Sequence, residues 1–344
     1  MNGYACVPAV QDVAWIRIEE PSAVGRARRV ASSLAERLEF PATRVAEVGI
    51  AVTEIGTNLA KHAREGALVV RAVRATTQAA VEIVAVDSGP GIADVALAWR
   101  DGESTVGTLG VGLGAVARLS DRSGVMSELG RGTVLTARFH RDRQPLTELP
   151  VESTGGITRP VDGEESCGDA YAVRAGEGRL QLMMCDGSGH GPLAETAARA
   201  AVRVFCERGS GAPEDIVAEL HAALRGTRGG AVGVADLDLV RRTVRFAGLG
   251  NIAAVVLGGG RKLGMISVPG VAGHQARTIR AFDYALPDDA VVVLHSDGLT
   301  ERWTLQGRER LLAAAPLVIG AVLLRDAGVR KDDAGVLVAK VPRS

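Results

Sequence analysis

Between about His140 and Pro160 the hydrophobic patterning lapses into polar sequence containing Pro and Gly. Arg141-Asp142-Arg143-Gln144-Pro145 is followed shortly by Ser153-Thr154-Gly155-Gly156. Such composition without an apolar period predicts a linker over 141–160. It leaves roughly 140 residues in front and roughly 185 behind, each enough to bury a core of its own. The predicted division is therefore a front domain over 1–140 and a back domain over 161–344, with no internal repeat.

A hydrophobic fraction of 47% places the chain among globular proteins, and 3% aromatics means that Val, Leu, Ile and Ala must fill the cores. Forty basic and forty acidic residues give zero formal net charge. That balance argues against a nucleic-acid partner and against a polybasic membrane anchor. The arginines between Arg26 and Arg29 read as a solvated helix face. No secretory signal and no apolar run of about 20 residues is visible, so a cytoplasmic protein is expected. Cys6, Cys167, Cys185 and Cys206 form no CxxC pair, and reduced thiols are expected.

In the front, a strand is predicted over Val13–Ile18, helices over Ser22–Glu39 and Ala42–His62, and strands over Ala67–Val73 and Ala80–Asp87. A short helix at Val111–Leu119 and strands near Gly124–Ser127 and Thr133–Phe139 follow. Helices first and strands later predict an α/β sandwich with a mixed sheet rather than a βαβ alternation.

Chemistry-bearing groups recur here in order. Glu54 and Asn58 lie four apart on one helix and share a face, with Lys61 one turn on. A carboxylate, an amide and an ammonium so placed can polarise a nucleophile, ligate Mg²⁺ and neutralise phosphate. Asp87-Ser88-Gly89-Pro90-Gly91 ends an apolar strand. Its carboxylate can accept from an exocyclic amine such as adenine N6, and Gly89 and Gly91 permit tight turns and close ligand approach. Gly107-Thr108-Leu109-Gly110-Val111-Gly112-Leu113-Gly114 opens the next helix, where backbone N–H groups suit phosphate oxygens.

This ordered set resembles the GHKL ATP-binding fold. Within it, Glu54-Ile55-Gly56-Thr57-Asn58-Leu59-Ala60-Lys61-His62 looks like the bacterial switch serine kinases, which act on STAS-domain anti-sigma antagonists or stressosome scaffolds. The resemblance implies that Asn58 holds Mg²⁺ and Asp87 reads adenine. It further implies that Gly107, Gly110, Gly112 and Gly114 form the lid and phosphate cradle of an ATP site, with Glu54 as general base. Two uses of such a domain stay open: phosphoryl transfer, or ATP sensing with capture of an anti-sigma antagonist or a sigma factor.

In the back, strands are predicted over Asp169–Val173, Leu180–Cys185, Ala231–Leu237, Thr243–Gly248, Ala253–Leu257, Thr278–Phe282, Ala290–Ser296 and Gly335–Val341. Helices are predicted over Leu193–Arg208 and Pro213–Leu224. Together they suggest an α+β or β-sandwich core covered by helices. Acidic residues recur at the strand ends: Gly168-Asp169, Asp186-Gly187-Ser188-Gly189-His190-Gly191, Ser296-Asp297-Gly298 and Lys331-Asp332-Asp333. Carboxylates gathered on one rim repel unless cations neutralise them, which points to a pair of Mn²⁺ or Mg²⁺ ions. Two such ions can bind phosphate and activate a water near neutral pH.

The set resembles the PPM superfamily of metal-dependent serine/threonine phosphatases in its SpoIIE-like branch, and implies an αββα sandwich. On that resemblance Asp186 bridges both metals and the Gly187 carbonyl is a further ligand. Asp297 and Asp332, or Asp333 in the other register, complete the site, with Asp169 beside it. Ala247-Gly248-Leu249-Gly250-Asn251 stands where the branch usually carries Ala-Gly-His. A chain that phosphorylates and dephosphorylates STAS-domain partners is the expectation, with homodimerisation left open.

Overall fold

The computed structural model describes residues 5–7, 10–75, 77–99, 112–145, 153–176, 178–305 and 307–341. The chain divides into two compact units: Ala9–Glu148, and a second formed by Met1–Pro8 with Leu149–Ser344. The first strand, β1 (Ala5–Val7), belongs to the second unit, so the opening residues part company with the front domain in which the sequence division had put them.

The front unit runs β2 (Val10–Arg17), α1 (Pro21–Arg37), α2 (Ala42–His62), β3 (Ala67–Arg74), β4 (Ala79–Val86), α3 (Val95–Ala98), α4 (Gly112–Leu119), β5 (Arg122–Glu128) and β6 (Gly132–His140). Pro21 occupies the first turn of α1 and Pro41 precedes α2, positions where a missing N–H costs nothing. Val24, Ala27, Ala31 and Leu34 on α1, and Val48, Val52, Ile55 and Leu59 on α2, recur at helical spacing and are buried. They share a core with Leu68, Val70, Val81, Ile83, Leu135, Ala137 and Phe139 from the sheet.

The sheet order is β2-β3-β4-β6-β5, and every pair among the described strands is antiparallel. This corrects the expected mixed sheet. Two helices in succession, α1 and α2, link β2 to β3 and reverse the chain twice, so β3 runs against β2, while β3–β4 and β5–β6 close as hairpins. A charge ladder crosses the sheet face opposite to those core residues: Asp12 stands beside Arg71, Arg71 beside Glu82, and Glu82 beside Arg138. Arg71 donates to Asp12 and, at 2.9 Å, to Glu82, while Arg138 donates to Glu82 at 2.8 and 2.6 Å. Burial raises the Glu82 pKa, but Arg138 and Arg71 outweigh it and hold the carboxyl below its ordinary range.

The back unit continues with β7 (Thr154–Arg159), β8 (Asp169–Gly176), β9 (Arg179–Gly187), α5 (Pro192–Glu207), α6 (Pro213–Ala223), β10 (Gly230–Asp238), β11 (Thr243–Leu249), β12 (Ala253–Gly258), β13 (Arg261–Met265) and β14 (Ser267–Val268). Then come β15 (Gly270–Val271), β16 (Gln275–Ala276), β17 (Ala281–Ala285), β18 (Val291–His295), α7 (Glu309–Ala313), α8 (Pro316–Ala327) and β19 (Ala334–Lys340). One sheet has the order β1-β8-β9-β10-β11-β14, with β17 also on β11; the other is β13-β12-β18-β19-β7. Leu182, Met184, Phe246, Val256, Val292, Leu294 and Leu337 form the core between them. Helices α5 and α6 cover the outer face of the first sheet through Ala197, Ala201, Phe205, Ile216 and Leu220. Helix α8 covers β7 and β19 of the second, giving the αββα order expected.

Part of the predicted linker is strand. Thr154–Arg159 pairs with β19, register Val336↔Ile157 and Val338↔Gly155. The glycines that read as linker serve close packing instead: a Cβ at Gly155 would overlap Leu317 of α8, and one at Gly156 would overlap the Tyr171 ring. Helix α8 escaped prediction because it is apolar on every side, with Leu317 through Leu324 all buried, so no amphipathic period marks it. The strand expected over 278–282 lies at Ala281–Ala285. Cys206 is disulfide-bonded, contrary to the expectation of reduced thiols, while Cys167 and Cys185 are outside any disulfide. No helix among the described residues is long and apolar enough to cross a membrane.

Removing Glu82 takes a buried carboxylate from both Arg71 and Arg138, leaving Asp12 as the anion beside Arg71. Glu82→Ala is expected to destabilise the front unit by about 3–5 kcal/mol. Urea unfolding of the full chain checks this, and an unchanged transition would show that the ladder is not the constraint described.

Candidate functional site

In the front unit, Glu54 and Asn58 project from one half-buried face of α2, and Lys61 lies exposed a turn later. Asp87 is buried at the end of β4, where one carboxylate oxygen accepts from Gly89 N at 2.7 Å. The Asp87 backbone exchanges hydrogen bonds with Thr133 on β6, 2.9 and 3.2 Å. A side chain at Gly132 would overlap the Asp87 carbonyl, and one at Gly91 the Glu128 carbonyl. Both glycines have positive φ, +99° and +77°, so backbone conformation and space demand the same residue. Thr133 was missed as part of this wall; its signal, the Gly-Thr step after a turn, is short. Gly107 and Gly110 lie outside the described residues, whereas Gly112 begins α4 and Gly114 follows in its first turn.

In the back unit, strand register gathers the acids. Asp169 on β8 is the direct cross-strand partner of Asp186 on β9. Asp169 is only 4% exposed; its Oδ2 accepts from Ser296 Oγ, and its Oδ1 is buried without a hydrogen-bond partner among the described residues. Ser296 Oγ in turn accepts from Gly335 N at 2.9 Å, tying β8, β18 and β19 together. Asp297 follows Ser296 and is exposed. A Cβ at Gly298 would overlap the Asp333 carbonyl, so this glycine lets the Asp297 and Asp332 loops touch.

The two open registers at 332–333 have different surroundings. Asp333 is buried, and its two oxygens accept from Val161 N and Gly168 N at 2.7 Å each. Asp332 is half-buried and lies within the field of Asp297 and Asp186. Gly187 donates to the Gly168 carbonyl at 2.9 Å and tolerates no side chain against Ala194. His190 meets Glu164 at 3.2 Å. Asn251, noted in sequence only as a departure from Ala-Gly-His, donates from Nδ2 to Asp297 Oδ2 at 2.5 Å. Ser296 stood in the Ser296-Asp297-Gly298 motif without a role, since a serine before an Asp-Gly turn carries no signal of its own.

The electrostatics follow from this crowding. Burial first, then Asp169, Asp297 and Asp332, push the Asp186 carboxyl up to about 9. Burial pushes Asp169 up to about 8 despite the Ser296 hydrogen bond, with Asp333, Asp297 and Asp332 adding to it. Asp332 and Asp333 are also raised, chiefly by burial. These are acids short of positive charge, and the orphaned Asp169 oxygen fits a cation or its bound water. No three His, Cys, Asp or Glu side chains among the described residues stand ready-arranged around one metal position.

A family model for the histidine kinase-like ATPase domain matches residues 19–139, and one for stage II sporulation protein E, SpoIIE, matches 176–342. The serine/threonine-protein kinase RsbT of Bacillus subtilis is 32% identical over 37% of this chain and 96% of its own length. Through its front unit the chain belongs to the histidine kinase-like ATPase family. The phosphoserine phosphatase RsbX of the same organism is 20% identical over 40% of this chain and 70% of RsbX. A solved chain from work on the bacterial stressosome, as a modular system adapted to control secondary messenger signalling, is 29% identical. It superposes with a TM-score of 0.51 over 54% of this chain and 98% of its own. The chain thus joins an RsbT-like kinase domain to a SpoIIE-type phosphatase domain like that of RsbX, the pairing of a regulator of serine/threonine phosphorylation.

The raised carboxyls carry a stability consequence for metal-free protein. Asp186 and Asp169 hold protons in the folded state up to about pH 9 and 8, but lose them near pH 4 when unfolded. Their contribution is full below about pH 4 and is lost as pH rises through 8–9. Asp186→Asn should therefore raise the melting temperature of metal-free protein more at pH 9 than at pH 5. An equal shift at both values would contradict the assignment.

Proposed function

We propose that the chain sets the phosphorylation of serine or threonine on STAS-domain partners in both directions, removing phosphate at the back site and adding it at the front. The observation that carries the phosphatase half is the meeting of Asp169, Asp186, Asp297 and Asp332 on one rim, with carboxyls raised by burial and by one another. Asp186, the Gly187 carbonyl, Asp297 and Asp332 would hold two Mn²⁺ or Mg²⁺ ions, which when bound supply a hydroxide-like water and a clamp on phosphate oxygens. Around them the chain's own residues do the positioning. Asp333 fixes the Val161 and Gly168 backbones, and Ser296 fixes Asp169. Each Asp333 oxygen already accepts from a backbone N–H, which supports a brace there and Asp332 as the ligand.

At the front, Glu54 would take the proton from a partner's hydroxyl, with Asn58 on the Mg²⁺ of bound ATP and Lys61 on its phosphates. Asp87, with Gly89 and Gly91 shaping its loop, would accept from the adenine amine, and Gly107, Gly110, Gly112 and Gly114 would close over the phosphates. What supports transfer, rather than ATP sensing alone, is that Glu54 shares the helix face of Asn58 and that the matching relative is named a kinase. Partners from the stressosome and anti-sigma pathway fit the RsbT and RsbX likeness, and a soluble cytoplasmic protein fits the same company.

The test uses a STAS-domain protein in phosphorylated and unphosphorylated form. Wild-type protein with Mn²⁺ and no ATP should strip the phosphate, and Asp186→Ala or Asp297→Ala should abolish this. In the Asp186→Ala background, ATP should load phosphate onto the partner, and adding Glu54→Ala should slow loading by on the order of 10²–10⁴-fold. Retained metal-dependent hydrolysis in Asp186→Ala would disprove the back site. Loss of phosphate without gain under any condition would leave a front domain that senses ATP or docks a partner.

A further inference from the structure

We infer that Asn251 is a positioning residue for Asp297, holding one carboxylate oxygen so that the other is presented to a divalent cation; this rests on the metal-dependent phosphatase reading above. Strand register carries the argument. Ala253 pairs with His295 and Ala254 with Leu294 across β12 and β18. In an antiparallel pair each step outward on one strand matches a step outward on the other. Two residues beyond the Ala253–His295 pair, Asn251 therefore faces Asp297. The amide reaches it, Nδ2 to Oδ2 at 2.5 Å.

Asn251 is exposed, yet its backbone has little freedom. Gly250 holds φ at +99°, donates to the Val268 carbonyl at 2.9 Å, and has no room for a side chain against Ala231. On the other side Ile252 is 2% exposed in the inter-sheet core, and its carbonyl accepts from Ser267 Oγ at 2.6 Å. The Asp297 side is braced as well, through Gly298 against the Asp333 loop and through Ser296. Two fixed backbones thus aim a neutral N–H donor at a carboxylate on the acidic rim. An amide donor occupies one acceptor oxygen without adding charge to the rim and leaves the other oxygen to ligate.

A surface asparagine capping a surface aspartate would also show this contact, so the test must read cation affinity apart from fold. Asn251→Leu keeps the branching and removes the donor, while Asn251→His restores a ring N–H. Calorimetric titration of each full-length protein with Mn²⁺ alone is paired with its metal-free melting temperature and with kcat and KM on p-nitrophenyl phosphate. We expect Asn251→Leu to weaken Mn²⁺ binding by about 10–100-fold, with an unchanged metal-free melting temperature. Loss in kcat/KM should recover as Mn²⁺ is raised, and Asn251→His should recover most of the affinity. Wild-type affinity in Asn251→Leu would overturn the role, as would failure of Asn251→His to improve on it. Absence of Mn²⁺ uptake by the wild-type protein would overturn the phosphatase reading itself, and this role with it.

Discussion

Two carboxylates facing one another across adjacent strands form an arrangement that a sheet ordinarily avoids. Asp169 and Asp186 occupy directly paired positions on β8 and β9, and both are largely removed from water. Like charges so placed repel, and burial adds to the cost, so the pair either keeps its protons or acquires a cation. Asp297 and Asp332 approach the same rim from the other sheet's loops and sharpen that choice. The remainder of the back unit can be understood as the means of holding these groups together. Ser296 bridges Asp169 to β19, Asp333 secures two backbone N–H groups, and the two sheets share one apolar core beneath them.

Glycine makes this crowding possible at the level of the backbone. Gly298 lets one acidic loop rest on the next, and Gly230 admits the Asp186 carbonyl beside β10. The front unit uses the same device, with Gly132 against Asp87 and Gly91 against the β5–β6 turn. In both units an aspartate ends an apolar strand and is followed by residues small enough for another chain segment to close over it. The two sites are unrelated in chemistry, yet they solve the same steric problem.

Much of this was legible in the sequence because long periodic segments and strand-end aspartates are local signals. Helices α1, α2, α5 and α6 show their buried stripes directly, and Asp186 and Asp297 stand at the ends of apolar runs. What was hidden depended on partners distant in the chain. Gly155 and Gly156 look like linker until α8 and Tyr171 are seen to need their space, and α8 itself lacks a polar face to give it a period. Strand β1 is three residues whose partner, β8, lies more than 160 positions on. The choice between Asp332 and Asp333 could be framed only once the backbone donors of Val161 and Gly168 were located. Asn251 looked like a departure from a pattern; register gives it a partner.

The claim that the acidic rim is a cation site is tested most directly by proton release. Burial and their acidic neighbours raise the Asp186 and Asp169 carboxyls to about 9 and about 8, so a cation that binds near neutral pH must displace protons. Calorimetric titration with Mn²⁺ at pH 7.5, in two buffers of different ionisation enthalpy, measures the number released. The account predicts binding with release of at least about one proton per protein, diminished in Asp186→Asn. Binding with no buffer dependence, or no binding at all, would contradict it.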